Sequence, residues 1–154
     1  MKVTFPFNQI NHKKGIDKFI VFAHHKVILD ALDDLVFSKN IDYIRIDGSV
    51  EPQERKQLVD IFQKQDKCRV AILAITACST GLTLSKANTV IFAELYYTPA
   101  IMIQAEDRAH RIGQTNQVNI IYLYGLATID EILYPRIREK YFVVSTILDD
   151  QVIN

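Results

Sequence analysis

The 154-residue chain balances eighteen lysines and arginines against eighteen aspartates and glutamates, with 49% hydrophobic and 23% charged residues. That profile excludes a disordered or low-complexity chain and a surface that is basic all over, although a local basic patch survives a zero average. A chain of this length suits one domain that buries about two thirds of its unfolded surface.

Residues 1–16 carry Pro6 and polar residues without a period, and are expected to lead in from a preceding segment. KFIVFA (18–23) is an apolar run of strand length. Residues 25–37 then place Ile28, Ala31, Leu32 and Leu35 at helical spacing. YIRID (43–47) alternates like a half-buried strand and stops at Gly48. In EPQERKQLVDIFQ, Pro52 sits as a first-turn proline and Leu58, Val59 and Phe62 face inward. RVAILAI (69–75) and TVIFA (89–93) are near-continuous apolar runs, the mark of parallel strands covered on both faces. Thr98 predicts a helix cap with Pro99 at the first position, and Ile101, Ala105, Ala109 and Ile112 form its apolar stripe. VNIIYLY (118–124) is the last clear strand. Thr128 opens a final helix through about Tyr141, interrupted at Pro135, and residues 144–154 read as a trailing segment.

The alternation predicts an α/β fold over residues 17–143, a three-layer sandwich with a mainly parallel sheet. The reactive edge of such folds lies at the carboxyl ends of the strands. His24, His25 and Lys26 fall there after the first strand, Asp47, Gly48 and Ser49 after the second, and TACSTGLTL (76–84) after the third.

QAEDRAHRIGQ (104–114) places Gln104, Arg108 and Arg111 on one helical face, braced by the apolar stripe. Asp107 stands four residues before Arg111, which is also the spacing of an ordinary surface ion pair. Arginine nevertheless suits phosphate, because its planar fork keeps its charge at any cellular pH. TACSTGLTL offers hydroxyls around Gly81 and reads equally as a plain turn. Gly48 and Ser49 read as turn residues, His24 and His25 as polar loop residues without metal-ligand spacing, and Phe92, Tyr96 and Tyr97 as packing residues. Cys68 and Cys78, without a second pair, suggest neither zinc nor disulfide and fit a reducing compartment. No apolar run reaches the ~18 residues of a membrane span, and the N-terminus lacks a signal-peptide pattern, so a soluble intracellular protein with no membrane partner is expected. No glycine precedes a lysine, so the phosphate loop GxxxxGK[ST] does not occur.

VFAHHKVILDAL, IRIDGS, ITACSTGLTLSKANTVIFAEL and IQAEDRAHRIGQ, in this order, resemble the second RecA-like lobe of Swi/Snf-type DNA translocases of helicase superfamily two. The resemblance covers roughly residues 17–142. AHHK and ITACSTGLTL look most like the HARP-type annealing helicases that rewind DNA and remodel stalled forks. Chromatin remodellers usually carry Arg-Ala-Gly-Gly where this chain has Thr76, Ala77, Cys78 and Ser79.

The resemblance implies that Arg108 and Arg111 are arginine fingers, that Gln104 and Gly81 face the nucleotide, and that His25, Lys26, Ser49 and Thr76 lie near the phosphates of one DNA strand. It implies ATP with magnesium, bound mainly by an N-terminal RecA-like lobe of the same polypeptide, double-stranded or forked DNA as partner, and a nuclear location. The chain alone is expected to be inactive as an ATPase. A chromatin-remodelling ATPase lobe and a non-motor nucleic-acid-binding module with the same fold are the alternatives. An RNA-helicase lobe is disfavoured by Gln114.

Overall fold

The computed structural model describes residues 18–80, 84–109 and 118–151. Five strands, β1 (Phe19–Ala23), β2 (Asp42–Ile46), β3 (Cys68–Ala74), β4 (Thr89–Phe92) and β5 (Asn119–Tyr122), form one sheet in the order β2-β3-β1-β4-β5. Every pairing is parallel. The helices are α1 (Lys26–Ser38), α2 (Pro52–Lys64), α3 (Pro99–Ala109) and α4 (Asp130–Gln151), and a short 3₁₀ segment, Ile75–Thr80, follows β3.

All residues of β1 and β4 and nearly all of β3 are buried, because helices cover both faces of the central strands. β2 at one edge keeps the alternation visible in YIRID: Ile44 and Ile46 are buried, while Tyr43 and Arg45 are half-buried. Right-handed crossovers put α1 on one face of the sheet and α2 and α3 on the other. This is the α/β sandwich that the alternation predicts. Among the described residues no helix is long and apolar enough to cross a membrane.

A chain of rings crosses the sheet at one register. Phe22 pairs with Phe92 and Phe92 with Tyr122, and their rings stack at 5.3 and 4.8 Å between centroids. Such pairs contribute about 0.5–1.5 kcal/mol each beyond their burial, and they hold the last rung of the sheet rigid just below its carboxyl edge. At the opposite edge Lys18 is 2% exposed. Its ammonium donates to the Phe62 carbonyl and, at 2.8 Å, to the Gln65 carbonyl, and lies 4.9 Å from the Phe62 ring centroid. It closes the end of α2, where orphaned carbonyls favour a cation. Burial lowers its pKa against the pull of nearby negative groups.

Two helices differ from expectation. α4 continues through Pro135 and past Tyr141 to Gln151. The proline forfeits the amide that would meet the Glu131 carbonyl, but Leu133 and Ile137 pack on the core and Tyr134 stacks on Tyr124 at 5.2 Å, so both halves are held to one surface. On α3 the buried face is centred further round than the Ile101–Ala105 stripe, on Met102, Ala105 and Glu106. The Glu106 carboxylate accepts the Tyr122 hydroxyl, which lets an acidic residue sit in that face.

Candidate functional site

The connection from β1 runs through α1 to β2 on one side, and that from β4 runs through α3 to β5 on the other. The carboxyl ends of β1 and β4 therefore flank a topological switch point, the place where an open parallel sheet leaves a crevice. His24 and Glu94 lie two residues beyond the Phe22–Phe92 register, facing each other across it. Glu94 Oε2 accepts the backbone N–H groups of His24 at 2.6 Å and His25 at 2.9 Å, and its Oε1 lies 2.6 Å from His25 Nδ1. Burial pushes the Glu94 carboxyl up, but the backbone and ring hydrogen bonds of His25 and the backbone N–H of His24 outweigh it and hold its pKa below the ordinary value. An ionised partner requires that Nδ1 carry the proton. The His25 side chain remains 69% exposed, and Lys26 is exposed beside it. The His24 ring meets His25 and Tyr96 edge-on, each at 4.8 Å.

After β2, Asp47 organises the next turn. Its Oδ1 accepts the Ser49 backbone N–H at 2.9 Å and the Ser49 hydroxyl at 2.6 Å. Its Oδ2 takes Arg45 Nε at 3.0 Å, and Arg45 reaches back to Asp30 on α1 at 2.7 Å. The hydroxyl and amide of Ser49, then Arg45, hold the Asp47 carboxyl below its usual range despite burial. Arg55 on α2 donates to the Val50 carbonyl at 2.7 Å, which pins the turn from its other side. Both donors of Ser49 are thus turned toward Asp47, and its hydroxyl must rotate before it can donate to a phosphate. A Cβ on Gly48 would meet nothing within 4 Å. The turn therefore does not need glycine for space within the chain.

Thr76 is exposed in the 3₁₀ segment at the same edge. Gln104 is exposed on α3, and Arg108 follows four positions later in the same helix. Gly81 and Arg111 lie outside the described residues, as does the side chain of Arg108. The structure therefore brings His25, Lys26, Ser49 and Thr76 to one edge of the sheet and carries Gln104 on the helix that leaves that edge after β4. Tyr96 is buried as a packing residue, whereas Tyr97 is 64% exposed and lies on Tyr96 at 4.7 Å.

Sequence reasoning missed Glu94, Arg45 and Asp47 as organisers of the site. The available signal for Glu94 was its place: a lone acidic residue just past the carboxyl end of a buried parallel strand.

The helicase conserved C-terminal domain family matches residues 2–113. The chain is 50% identical over 132 residues to a SWI/SNF-related matrix-associated actin-dependent regulator of chromatin subfamily A-like protein 1 from Xenopus tropicalis, covering 86% of this chain and 14% of the relative. It is 48% identical over 132 residues to the human DNA annealing helicase and endonuclease ZRANB3, covering 86% of this chain and 12% of that protein. The chain thus spans a small part of the length of these curated relatives. Among solved structures, the C-terminal part of the Fun30 ATPase domain matches with a TM-score of 0.75 and 33% identity, over 77% of this chain and 38% of that one. The chain belongs to the helicase conserved C-terminal domain family and is a C-terminal RecA-like lobe of the Swi/Snf type.

Proposed function

We propose that the chain is the second motor lobe of an ATP-dependent double-stranded DNA translocase, of the annealing-helicase or fork-remodelling kind, acting in the nucleus. The observation that carries this reading is the gathering of His25, Lys26, Ser49 and Thr76 at one carboxyl edge of the sheet, beside the start of the helix that bears Gln104 and Arg108. The similarity to a DNA annealing helicase supports the choice among motors.

His25, Lys26, Ser49 and Thr76 contact the phosphates of one strand, which supplies affinity without sequence information, as a motor that steps along any DNA requires. The exposed Gln104 amide fits one side of a nucleotide, and Gly81 is assigned to the same nucleotide-facing set by the family resemblance. Among the described residues no group of three or more His, Cys, Asp or Glu side chains is arranged to hold a metal ion. The resemblance to Swi/Snf-type motors assigns the magnesium ligands and the phosphate cradle to the first lobe of the same polypeptide. ATP bound there supplies the γ-phosphoryl group, and Arg108 and Arg111 donate to the charge that develops on its transfer. The lone chain is expected to hydrolyse no ATP.

The test is DNA-stimulated phosphate release by the full-length parent carrying Arg108→Ala or Arg111→Ala. Arginine fingers contribute about 10³ to 10⁵ in rate, so either change should abolish stimulation while ATP and DNA still bind. Lysine should not rescue, because it lacks the planar fork. An exposed ion pair contributes ~0–1 kcal/mol to stability, so near-parental turnover in both variants would reduce the arginines to surface charge and overturn the assignment.

A further inference from the structure

We propose that Glu94 is the positioning residue that couples the nucleotide-facing helix of this lobe to its DNA-facing turn. One carboxylate ties the β1–α1 turn, with His25 and Lys26, to the connection that runs from β4 into α3, with Gln104 and Arg108. The proposal rests on the assignment of those residues to DNA and nucleotide made above.

The two segments are 70 positions apart in the chain and diverge to opposite sides of the sheet, and among the described residues side-chain contacts join them above the last rung. Below Glu94 the pairing of the strands does not involve it: β1 and β4 pair through Phe22 and Phe92, and the Ala93 N–H reaches the Phe22 carbonyl at 2.8 Å. Above that rung, three donors of the turn converge on the one carboxylate. Hydrogen bonds to an ionised acceptor are roughly twice as strong as neutral ones and fix direction as well as distance. Tyr96, two residues on, is buried and meets the His24 ring edge-on at 4.8 Å, a second contact across the same crevice. Glu94 and Tyr96 lie within five residues of Pro99, the first residue of α3. A shift of α3 during nucleotide turnover is therefore passed to the turn as movement of a rigid link. A carboxylate in this place orients the turn and touches neither ligand.

The experiment uses the full-length parent, with Lys26→Ala, Glu94→Ala, Glu94→Gln and the Lys26→Ala/Glu94→Ala double variant, and reads half-saturating DNA, half-saturating ATP and thermal midpoint. Lys26→Ala should raise half-saturating DNA. Glu94→Ala should raise it about five- to tenfold while half-saturating ATP stays within about twofold. Glu94→Gln, which keeps an acceptor for the two N–H groups but loses the charge, should fall between. The double variant should be no worse than the worse single one, because Glu94 acts through the turn that carries Lys26. If Lys26→Ala is impaired and the Glu94 variants match the parent, the coupling is wrong and the DNA assignment stands. If both match the parent, the DNA assignment fails and the coupling falls with it. Effects that multiply in the double variant, or ATP and DNA constants that move together with the thermal midpoint, would reduce Glu94 to a structural residue.

Discussion

Lys18 and Glu94 make the same kind of bond at opposite edges of one sheet. Each charged group binds backbone groups of a distant segment: Lys18 the carbonyls that end α2, Glu94 the amides that precede α1. The surroundings differ. At the amino edge the ammonium is enclosed by Phe62 and the α2 terminus, and its bonds are used up within the fold. At the carboxyl edge the partners of the carboxylate, His25 above all, stay open to solvent beside Lys26. A buried charge with buried partners holds elements together. A half-buried charge with exposed partners aims a surface, and that distinction separates the structural edge of this lobe from its working edge.

The comparison breaks first at Lys18. Replacing it with methionine keeps most of the volume but leaves the Phe62 and Gln65 carbonyls without their cation, which should cost about 2–4 kcal/mol in denaturant unfolding of the lobe. A loss below about 1 kcal/mol would make Lys18 no more structural than a surface residue. Glu94 sharpens the other side. Its folded pKa lies below the ordinary 4.5, so its stabilisation is fully present above pH 4.5 and is lost as pH falls through the folded value. Glu94→Gln should remove about 1 kcal/mol at neutral pH, with the parent and variant curves converging in acid. Parallel curves down to acid pH would show that the carboxylate contributes nothing as an ion.

Two smaller changes probe the turns. Ala127 sits at φ 58 in the turn after β5, a left-handed conformation that glycine adopts without strain, so Ala127→Gly should stabilise by about 0.5–1 kcal/mol despite the added chain entropy. Gly48→Ala should change stability by less than about 0.5 kcal/mol, since its Cβ meets open space. A rise in half-saturating DNA for that variant would then report the close approach of a ligand. A clear loss of stability would show that the turn itself needs the glycine.

The strands were legible because two-sided burial writes itself as continuous apolar runs such as RVAILAI, and one-sided burial as the alternation of YIRID. The full extent of α4 was not, because Pro135 counts as a break in one dimension and is overridden by packing of Leu133 and Ile137 in three. At the site, the carboxyl-edge rule located His25, Ser49 and Thr76, but the carboxylates that orient two of them were hidden for different reasons. Glu94 acts across 70 positions, which no local pattern reports. Asp47 stands two residues from Ser49, yet its capture of both Ser49 donors depends on a side-chain conformation that composition does not encode. On α3 the stripe stopped short of Glu106 because the partner that makes its burial tolerable, Tyr122, comes from a strand beyond the helix.

Hydrogen exchange of the full-length parent with and without duplex DNA at low salt tests most directly whether the carboxyl edge is the working one. DNA should slow exchange at His25, Lys26, Gly48, Ser49 and Thr76, and leave the amides of Asn40, Asp42 and Lys67 at the opposite edge unchanged. Protection at Asn40, Asp42 and Lys67, with none at His25 to Lys26 or Gly48 to Ser49, would contradict the assignment of the two edges.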